Sequence, residues 1–380
     1  MAPPMKAPTN LWAKSSAVVE RMKEYYTGKK ETPPLISERT ALLCAVLFTV
    51  LYIAPFYLSK TLRTTPLVSR DSPTVIRARV RAVGLSCLAS TVIAVYVLLI
   101  YGHATPRDVF RLFAIWPVDL ADCLKVLALV AVLFVGPLYE TLLIDNAWRS
   151  FSLKAVKEEF WDHLPGFRNY VIAPWCEELV FRSLVIGLYQ IARVSPTRIV
   201  FMTPLIFGVA HVHHLIEFIQ SHKPPRSTIP PAKIVLIGMI QSLFQFTYTT
   251  LFGFFAAFVM LRTGNVFASV TAHTFCNYMG LPRVWGRIGK FEELESLQHI
   301  TPDVAQGKRD DSLDQVRVGN SLMQEQSDDE KNAASGMKAG RGNVGVVWTV
   351  VYYLLLVVGS YGFYRLLWKL TESGNALVKF

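Results

Sequence analysis

The sequence predicts an all-α, polytopic membrane protein in which about eight transmembrane helices enclose an intramembrane cavity. The 380 residues are 52% hydrophobic and 18% charged, whereas soluble domains carry about 25% charged residues. The apolar residues also form long blocks instead of alternating with polar ones. A membrane span needs about 20 mostly apolar residues and must satisfy its own backbone hydrogen bonds, so each block predicts a helix. The blocks cover residues 41–58, 82–101, 123–144, 168–193, 199–219, 233–261, 264–282 and 344–369.

The remaining residues divide the chain into four predicted parts. Residues 1–39 form a polar N-terminal tail, which lacks the short apolar core and small-residue cleavage site of a signal peptide. Residues 40–282 form the membrane helical core. Residues 283–343 are polar, mixed in charge and contain several glycines, a composition that predicts a disordered loop. Residues 344–380 hold the last transmembrane helix and a C-terminal tail.

The net charge of +11 comes from basic residues that are concentrated in the loops beside the predicted spans. Such residues set membrane topology and contact anionic headgroups, so membrane lipid is a predicted partner and nucleic acid is not. The loops 60–81, 145–168 and 220–233 are richer in Lys and Arg than the alternate loops, which predicts that they are cytosolic. The basic N-terminal tail would then lie on the opposite side, and this conflict leaves the orientation of the termini open.

Polar side chains within three of the predicted spans mark these as the catalytic helices, 168–193, 199–219 and 264–282. Ionisable groups inside a membrane are costly and are therefore functional candidates by default. At about 1.5 Å rise per residue, the three clusters reach nearly one depth in the bilayer. The candidates are Glu177, Glu178 and Arg182 in WCEELVFRSL, His211 in FGVAHVHH, and His273 and Asn277 in TAHTFCNYMG.

Helical spacing predicts different tasks for the two adjacent glutamates. Glu178 and Arg182 are four residues apart, so they face each other and can neutralise their charges. Glu177 points about 100° away from that pair and stays available for chemistry. A carboxylate beside the imidazole of His211 can orient a water molecule and take its proton.

The spacing of His273 and Asn277 completes the predicted chemistry. These residues are also four apart, share a helix face, and can donate hydrogen bonds to an oxyanion. The whole set fits peptide-bond hydrolysis by an activated water molecule, without a covalent intermediate. The same residues also admit structural interpretations, in which Glu178 and Arg182 only stabilise the helix and each histidine only packs.

The sequence argues against the common metal sites. All five cysteines lie in apolar blocks and none forms a CxxC pair, which disfavours a disulfide framework and a Cys-based metal site. No HExxH motif occurs, although that motif marks the commonest zinc proteases. A Glu–His–His zinc site built across helices stays open as the weaker interpretation. His213 and His214, near the far end of the His211 helix, are interpreted as interfacial or supporting residues.

Two other functional classes compete with hydrolysis. Buried ionisable groups also relay protons or bind ions in an ion- or proton-coupled transporter. The two halves of the chain show no matching repeat and no matching broken helices, which are typical of secondary transporters. The second alternative is a non-catalytic membrane scaffold, which the intact polar set disfavours.

The three motifs together resemble a known protein family. Glu177-Glu178-x-x-x-Arg182, Phe207-x-x-x-His211 and His273-x-x-x-Asn277 are similar to the EExxxR, FxxxH and HxxxN motifs of the CAAX protease and bacteriocin-processing family. The predicted span count resembles its eukaryotic branch, the type II CAAX prenyl endopeptidases, also called Ras-converting enzymes. The motif resemblance covers roughly residues 165–285, and three motifs in this order are a specific signal.

The resemblance implies an endopeptidase (a hydrolase acting on peptide bonds) of the endoplasmic reticulum membrane that needs no metal or cofactor. Such an enzyme removes the last three residues from prenylated CaaX proteins, for example small GTPases or lipopeptide pheromones. By position, Glu177 and His211 would activate water, and His273 and Asn277 would stabilise the oxyanion. Glu178 and Arg182 would support the site.

Overall fold

The computed structural model describes residues 17–28, 33–63, 70–224, 229–288, 345–378 and 380, and across these ranges it contains helices and turns but no strand. The predicted all-α class is therefore confirmed. Residues 1–16 and 29–32 of the predicted polar tail lie outside the described residues. The same is true of residues 289–343 of the predicted disordered loop. The four-part division of the chain stays a prediction.

Helices of very different length make up the described chain. The α-helices are Ala17–Tyr26, Glu38–Ile53, Pro55–Leu58, Pro73–Ile100, Pro106–Leu112, Leu120–Leu133, Val135–Tyr139, Ala147–Ser150, Leu153–Lys157, Leu164–Gly166, Ala173–Glu178, Val185–Ile191, Pro196–Ala210, His213–His222, Ala232–Thr263, Val266–Met279 and Val346–Leu370. Wider π-helical turns cover Glu140–Ile144, Glu158–Asp162, Phe167–Ile172 and Leu179–Leu184.

The chain divides into two compact units. The first consists of Met1–Ala128, Leu164–Phe275 and Trp368–Phe380, and the second of Leu129–His163 and Cys276–Leu367. Of the predicted site residues, only Asn277 belongs to the second unit.

The predicted count of eight spans is not confirmed. Within the described ranges, five helices are long and apolar enough to cross a membrane, and a sixth candidate is a pair of helices bent by 79°. The five are Glu38–Leu58, Pro73–Ile100, Pro196–His222, Ala232–Thr263 and Val346–Leu370, and the bent pair is Leu120–Leu133 with Val135–Ile144. The two predicted spans that do not meet these criteria are 168–193 and 264–282, which carry most of the candidate site residues.

Both differences have a physical reason. The stretch 164–191, here called the glutamate helix, alternates between α and π turns, and every residue from Val180 to Val194 is buried. No single regular helix of span length therefore runs through this stretch, and Glu177, Glu178 and Arg182 interrupt its apolar residues. The helix Val266–Met279 has only 14 residues, which at 1.5 Å per residue is about 21 Å, less than a ~30 Å hydrocarbon core.

A tight turn after the long helix Ala232–Thr263 directs the chain into the helix Val266–Met279. Gly264 ends the long helix with φ of +58°, a left-handed conformation that favours glycine. Asn265 is fully buried, and its side-chain oxygen accepts a hydrogen bond from the Phe267 amide at 3.1 Å. Its side-chain nitrogen donates to the Asp119 carbonyl at 2.8 Å. These bonds fix the start of the helix that carries His273.

Glycines allow the helix Pro196–Ala210 to pack closely against the long helix Ala232–Thr263. A Cβ atom on Gly253 would lie 2.6 Å from Pro204 Cβ and 3.3 Å from an Arg182 guanidinium nitrogen. Gly208 faces Thr250 and Phe246 in the same way. Small residues at such contacts let helix backbones approach closely in membrane proteins. The packing holds the end of the helix that leads to His211.

We expect Gly253→Ala to destabilise the protein, because the added methyl group must push Pro204 away. Overpacking of this kind costs about 1–3 kcal/mol. The measurement is the thermal unfolding midpoint of the purified protein in detergent. Gly84→Ala is the matched control, since Gly84 lies within the helix Pro73–Ile100 with nothing within 4 Å of an added Cβ. The control should be neutral or slightly stabilising, and equal midpoints for both variants would contradict the packing account.

Candidate active site

The carboxylate of Glu178 joins two helices in the interior of the first unit. Glu178 is 0% exposed, and its Oε1 atom accepts a hydrogen bond from His273 Nδ1 at 2.8 Å. Its other oxygen, Oε2, lies 3.3 Å from Arg182 Nε, one helical turn further along the glutamate helix. One buried carboxylate therefore holds both the histidine and the arginine of the predicted site.

Aromatic rings complete the environment of Arg182. The side chain is 1% exposed, and its guanidinium carbon lies 4.1 Å from the centre of the Phe207 ring and 5.8 Å from that of Phe252. The guanidinium nitrogens donate no hydrogen bond to any residue in the described ranges. The negative face of an aromatic ring attracts a cation, particularly where water is excluded. Glu178 and these rings together offset the cost of burying this charge.

Glu177 occupies the less buried side of the same imidazole. Its side chain is 18% exposed, and its Oε2 atom lies 3.8 Å from His273 Nε2. That separation is longer than a hydrogen bond, and a water molecule about 2.8 Å from each atom would bridge them. The ring of His273 thus has one nitrogen committed to Glu178 and the other directed toward Glu177.

His211 connects to this arrangement through Phe207. It follows the helix Pro196–Ala210 as its C-terminal cap residue, and its Nδ1 atom lies 2.8 Å from the Phe207 carbonyl oxygen. The rings of His211 and Phe207 are 4.6 Å apart in an edge-to-face arrangement. Because Nδ1 faces the backbone, Nε2 is the nitrogen that can meet a substrate or a water molecule.

Within the described residues, the ion-pair partner of Glu177 is His273. The predicted cooperation of Glu177 with His211 on a water molecule stays a prediction. Asn277 lies one turn after His273 on the helix Val266–Met279. This helix is tied to the glutamate helix by a 2.8 Å hydrogen bond from the Thr274 hydroxyl to the Tyr170 carbonyl.

Sequence reasoning missed one residue of the site. The Phe252 ring lies 4.7 Å from the His273 ring and also faces Arg182. It belongs to an apolar helix with many aromatic residues, and no pattern separates it from its neighbours. Phe207, in contrast, stands four residues before His211, where the motif places it.

Comparison with known proteins identifies the family. A model of the Rce1-like family, described as type II CAAX prenyl endopeptidase, matches residues 159–279. The chain is 35% identical over 247 residues to a probable CAAX prenyl protease 2 of Schizosaccharomyces pombe, covering 65% of this chain and 83% of that protein. The chain belongs to this family.

Two further relatives agree with that assignment. The human CAAX prenyl protease 2 is 37% identical over 181 residues, covering 46% of this chain and 50% of the relative. The Arabidopsis thaliana CAAX prenyl protease 2 is 41% identical over 116 residues, covering 30% of this chain and 34% of the relative. No solved structure matches. The family is one of membrane proteases, and its matched region contains all six candidate residues.

A possible metal site lies apart from the two glutamates. Within the described part of the chain, His213, His214 and Glu217 place one potential ligand atom each within 4.8 Å of one another. The Glu217 carboxylate, however, is already bound by the guanidinium of Arg79. A guanidinium on that carboxylate competes with a metal cation. The group therefore fits a metal poorly, and it shares no residue with the Glu177–Glu178–His273 arrangement.

We expect Arg182→Met to destabilise the protein strongly, since it leaves the buried Glu178 carboxylate without its cation. Breaking a buried ion pair costs about 3–5 kcal/mol. The matched control is Arg198→Met, which breaks the exposed ion pair to Glu38, 2.6 Å long. Exposed pairs contribute about 0–1 kcal/mol. Thermal unfolding in detergent measures both variants, and a control as unstable as Arg182→Met would refute the special role of burial.

Proposed function

We propose that this chain is an intramembrane endopeptidase that removes the C-terminal tripeptide, aaX, from prenylated CaaX proteins. Small GTPases and lipopeptide pheromones are the proposed substrates, and the endoplasmic reticulum membrane is the proposed location. The observation that supports this most directly is His273 held between Glu178, at 2.8 Å, and Glu177, at 3.8 Å. The family of the chain, and the names of its relatives, support the substrate class.

The proposed reaction begins with a water molecule held by Glu177 and His211. Glu177 takes a proton from this water, and the resulting hydroxide forms a bond to the carbonyl carbon of the prenylated cysteine. The carbonyl electron pair moves to oxygen and forms an oxyanion. The C–N bond then breaks, and the proton passes to the amine of the leaving tripeptide.

His273 and Asn277 are the proposed donors to the oxyanion. Glu178 accepts from His273 Nδ1 and so fixes the ring with Nε2 toward Glu177. From this position Nε2 can donate a hydrogen bond to an oxyanion formed beside the attacking water. Asn277, one turn further along the same helix, would supply a neutral amide donor.

A site among apolar helices suits a substrate that is anchored in lipid. Each CH₂ group of a prenyl chain gains about 0.8 kcal/mol on entering the hydrocarbon. The prenylated cysteine therefore stays at the membrane while the peptide follows it into the protein. An intramembrane cavity open to lipid and to cytosol stays a prediction, as do the transporter and scaffold alternatives.

We expect Glu177→Ala and His211→Ala to abolish cleavage of a farnesylated CaaX peptide by the purified protein in liposomes. Loss of a general base or its partner lowers rates about 10²–10⁴-fold. Mass spectrometry of the released tripeptide provides the measurement. Glu158→Gln is the control, since Glu158 is exposed and pairs only loosely, at 3.6 Å, with Lys154.

Two outcomes would decide against the proposal. Retained cleavage in both alanine variants would remove these residues from the catalytic step. Absence of cleavage by the unmodified protein, together with potential-dependent proton or ion flux into the same liposomes, would favour the transporter. A protein with neither activity would support the scaffold.

A further inference from the structure

A second group of charged residues lies near the start of the glutamate helix. We call Arg70, Asp71, Arg79, Arg168 and Glu217 the arginine cluster. Asp71 Oδ1 lies 2.7 Å from Arg168 Nη1, and Glu217 Oε1 is bound by Arg79 Nη2. Arg79 also donates to the Leu62 carbonyl from Nε, at 3.1 Å, and from Nη2, at 2.8 Å. All four paired side chains are about nine-tenths buried.

The arginine cluster has one more positive than negative charge. Asp71 and Glu217 each form an ion pair with a different arginine, and the charge of Arg70 acts on Glu217 without forming such a pair. The Arg70 backbone carbonyl accepts from Arg168 Nη1 at 3.3 Å, which fixes its position. Its guanidinium forms no ion pair with a described residue, and its buried Nε atom has no hydrogen-bond partner there. A guanidinium with an unused donor can bind an anionic ligand, so Arg70 is suited to one.

The separation of Arg168 and Glu177 along the glutamate helix is comparable with the length of the proposed leaving group. Arg168 precedes Glu177 by nine residues, which would be about 13 Å at the 1.5 Å rise of a regular α-helix. Three extended residues span about 10 Å, and a guanidinium reaches the remainder by hydrogen bonding. The charges of Glu177 and Arg70 both act on Tyr248, so neither residue lies far from that side chain.

A second route of contacts links the arginine cluster to His211. Glu217 Oε2 lies 3.1 Å from His214 Nδ1, and the His214 ring lies 5.8 Å from the His211 ring. The cluster thus borders the proposed site on the side of His211 as well as along the glutamate helix.

We propose that Arg70 binds the free C-terminal carboxylate of the CaaX substrate. This inference rests on the proposed function and adds a residue that recognises the C-terminus of the substrate. A planar guanidinium binds a carboxylate with two parallel hydrogen bonds, which gives both affinity and direction. With its carboxylate on Arg70, an extended aaX segment presents the bond before its first residue to Glu177. The fixed distance then explains why a tripeptide is released.

The test compares a farnesylated CaaX peptide that has a free carboxylate with the same peptide as a C-terminal amide. We expect the unmodified protein to cleave the acid with a kcat/KM at least about 10-fold above that of the amide, because a charge-assisted pair is lost. Arg70→Gln should lower cleavage of the acid to the level of the amide, mainly through KM, and leave the amide unchanged. Arg70→Lys should restore part of the preference.

Arg77→Gln is the matched control, because Arg77 is exposed on the helix Pro73–Ile100. Its ratio of kcat/KM for the acid to kcat/KM for the amide should equal that of the unmodified protein.

Equal cleavage of acid and amide by the unmodified protein would overturn the inference but not the proposed function. An equal loss of both substrates in Arg70→Gln would also overturn it, and would indicate a role in folding or in binding lipid phosphate. If the unmodified protein cleaves neither peptide, the proposed function itself fails, and this inference with it.

Discussion

The site depends on one buried carboxylate, that of Glu178, which is shared by His273 and Arg182. An isolated carboxylate at this depth would be very costly, and so would an isolated guanidinium. Their pairing converts two unfavourable burials into one stable contact and uses the second oxygen to orient an imidazole. The result couples stability to geometry, since the group that neutralises Arg182 also determines where His273 Nε2 points.

Much of the surrounding packing serves to keep that contact in place. The Phe207 ring packs against the Arg182 guanidinium, and the Phe207 carbonyl oxygen lies within hydrogen-bond distance of His211 Nδ1. The arginine and the second histidine therefore both contact Phe207. Gly253 lets the long helix approach Pro204 and the Arg182 guanidinium closely. The turn at Gly264 and Asn265 then sets the start of the His273 helix. Each of these contacts is local, yet all of them help to position the arginine and the histidines of the site.

The sequence alone predicted the parts of this arrangement that follow from helical periodicity. Long apolar blocks indicated helices, and the four-residue spacing of Glu178 and Arg182 placed them on one face. It did not predict that His273 would lie between the two glutamates, because that contact joins residues 95 positions apart and depends on tertiary packing. Nor did hydropathy show that the glutamate helix is continuously buried from Val180 onward and contains π turns on both sides of Glu177 and Glu178. Arg70 escaped notice because it lies in a loop rich in basic residues, where charge normally indicates topology.

The two neighbouring glutamates illustrate how a helix can separate two requirements that conflict at one position. Successive side chains on a helix diverge by about 100°, so Glu178 can be fully enclosed while Glu177 remains 18% exposed. Hydrolysis needs water at the reacting carbon, whereas the orienting network is strongest where water is absent. A single residue could not satisfy both conditions. If Arg70 holds the substrate carboxylate, the same helix also sets the distance from the activated water to the end of the substrate. Rigidity of the glutamate helix would then determine the length of the product.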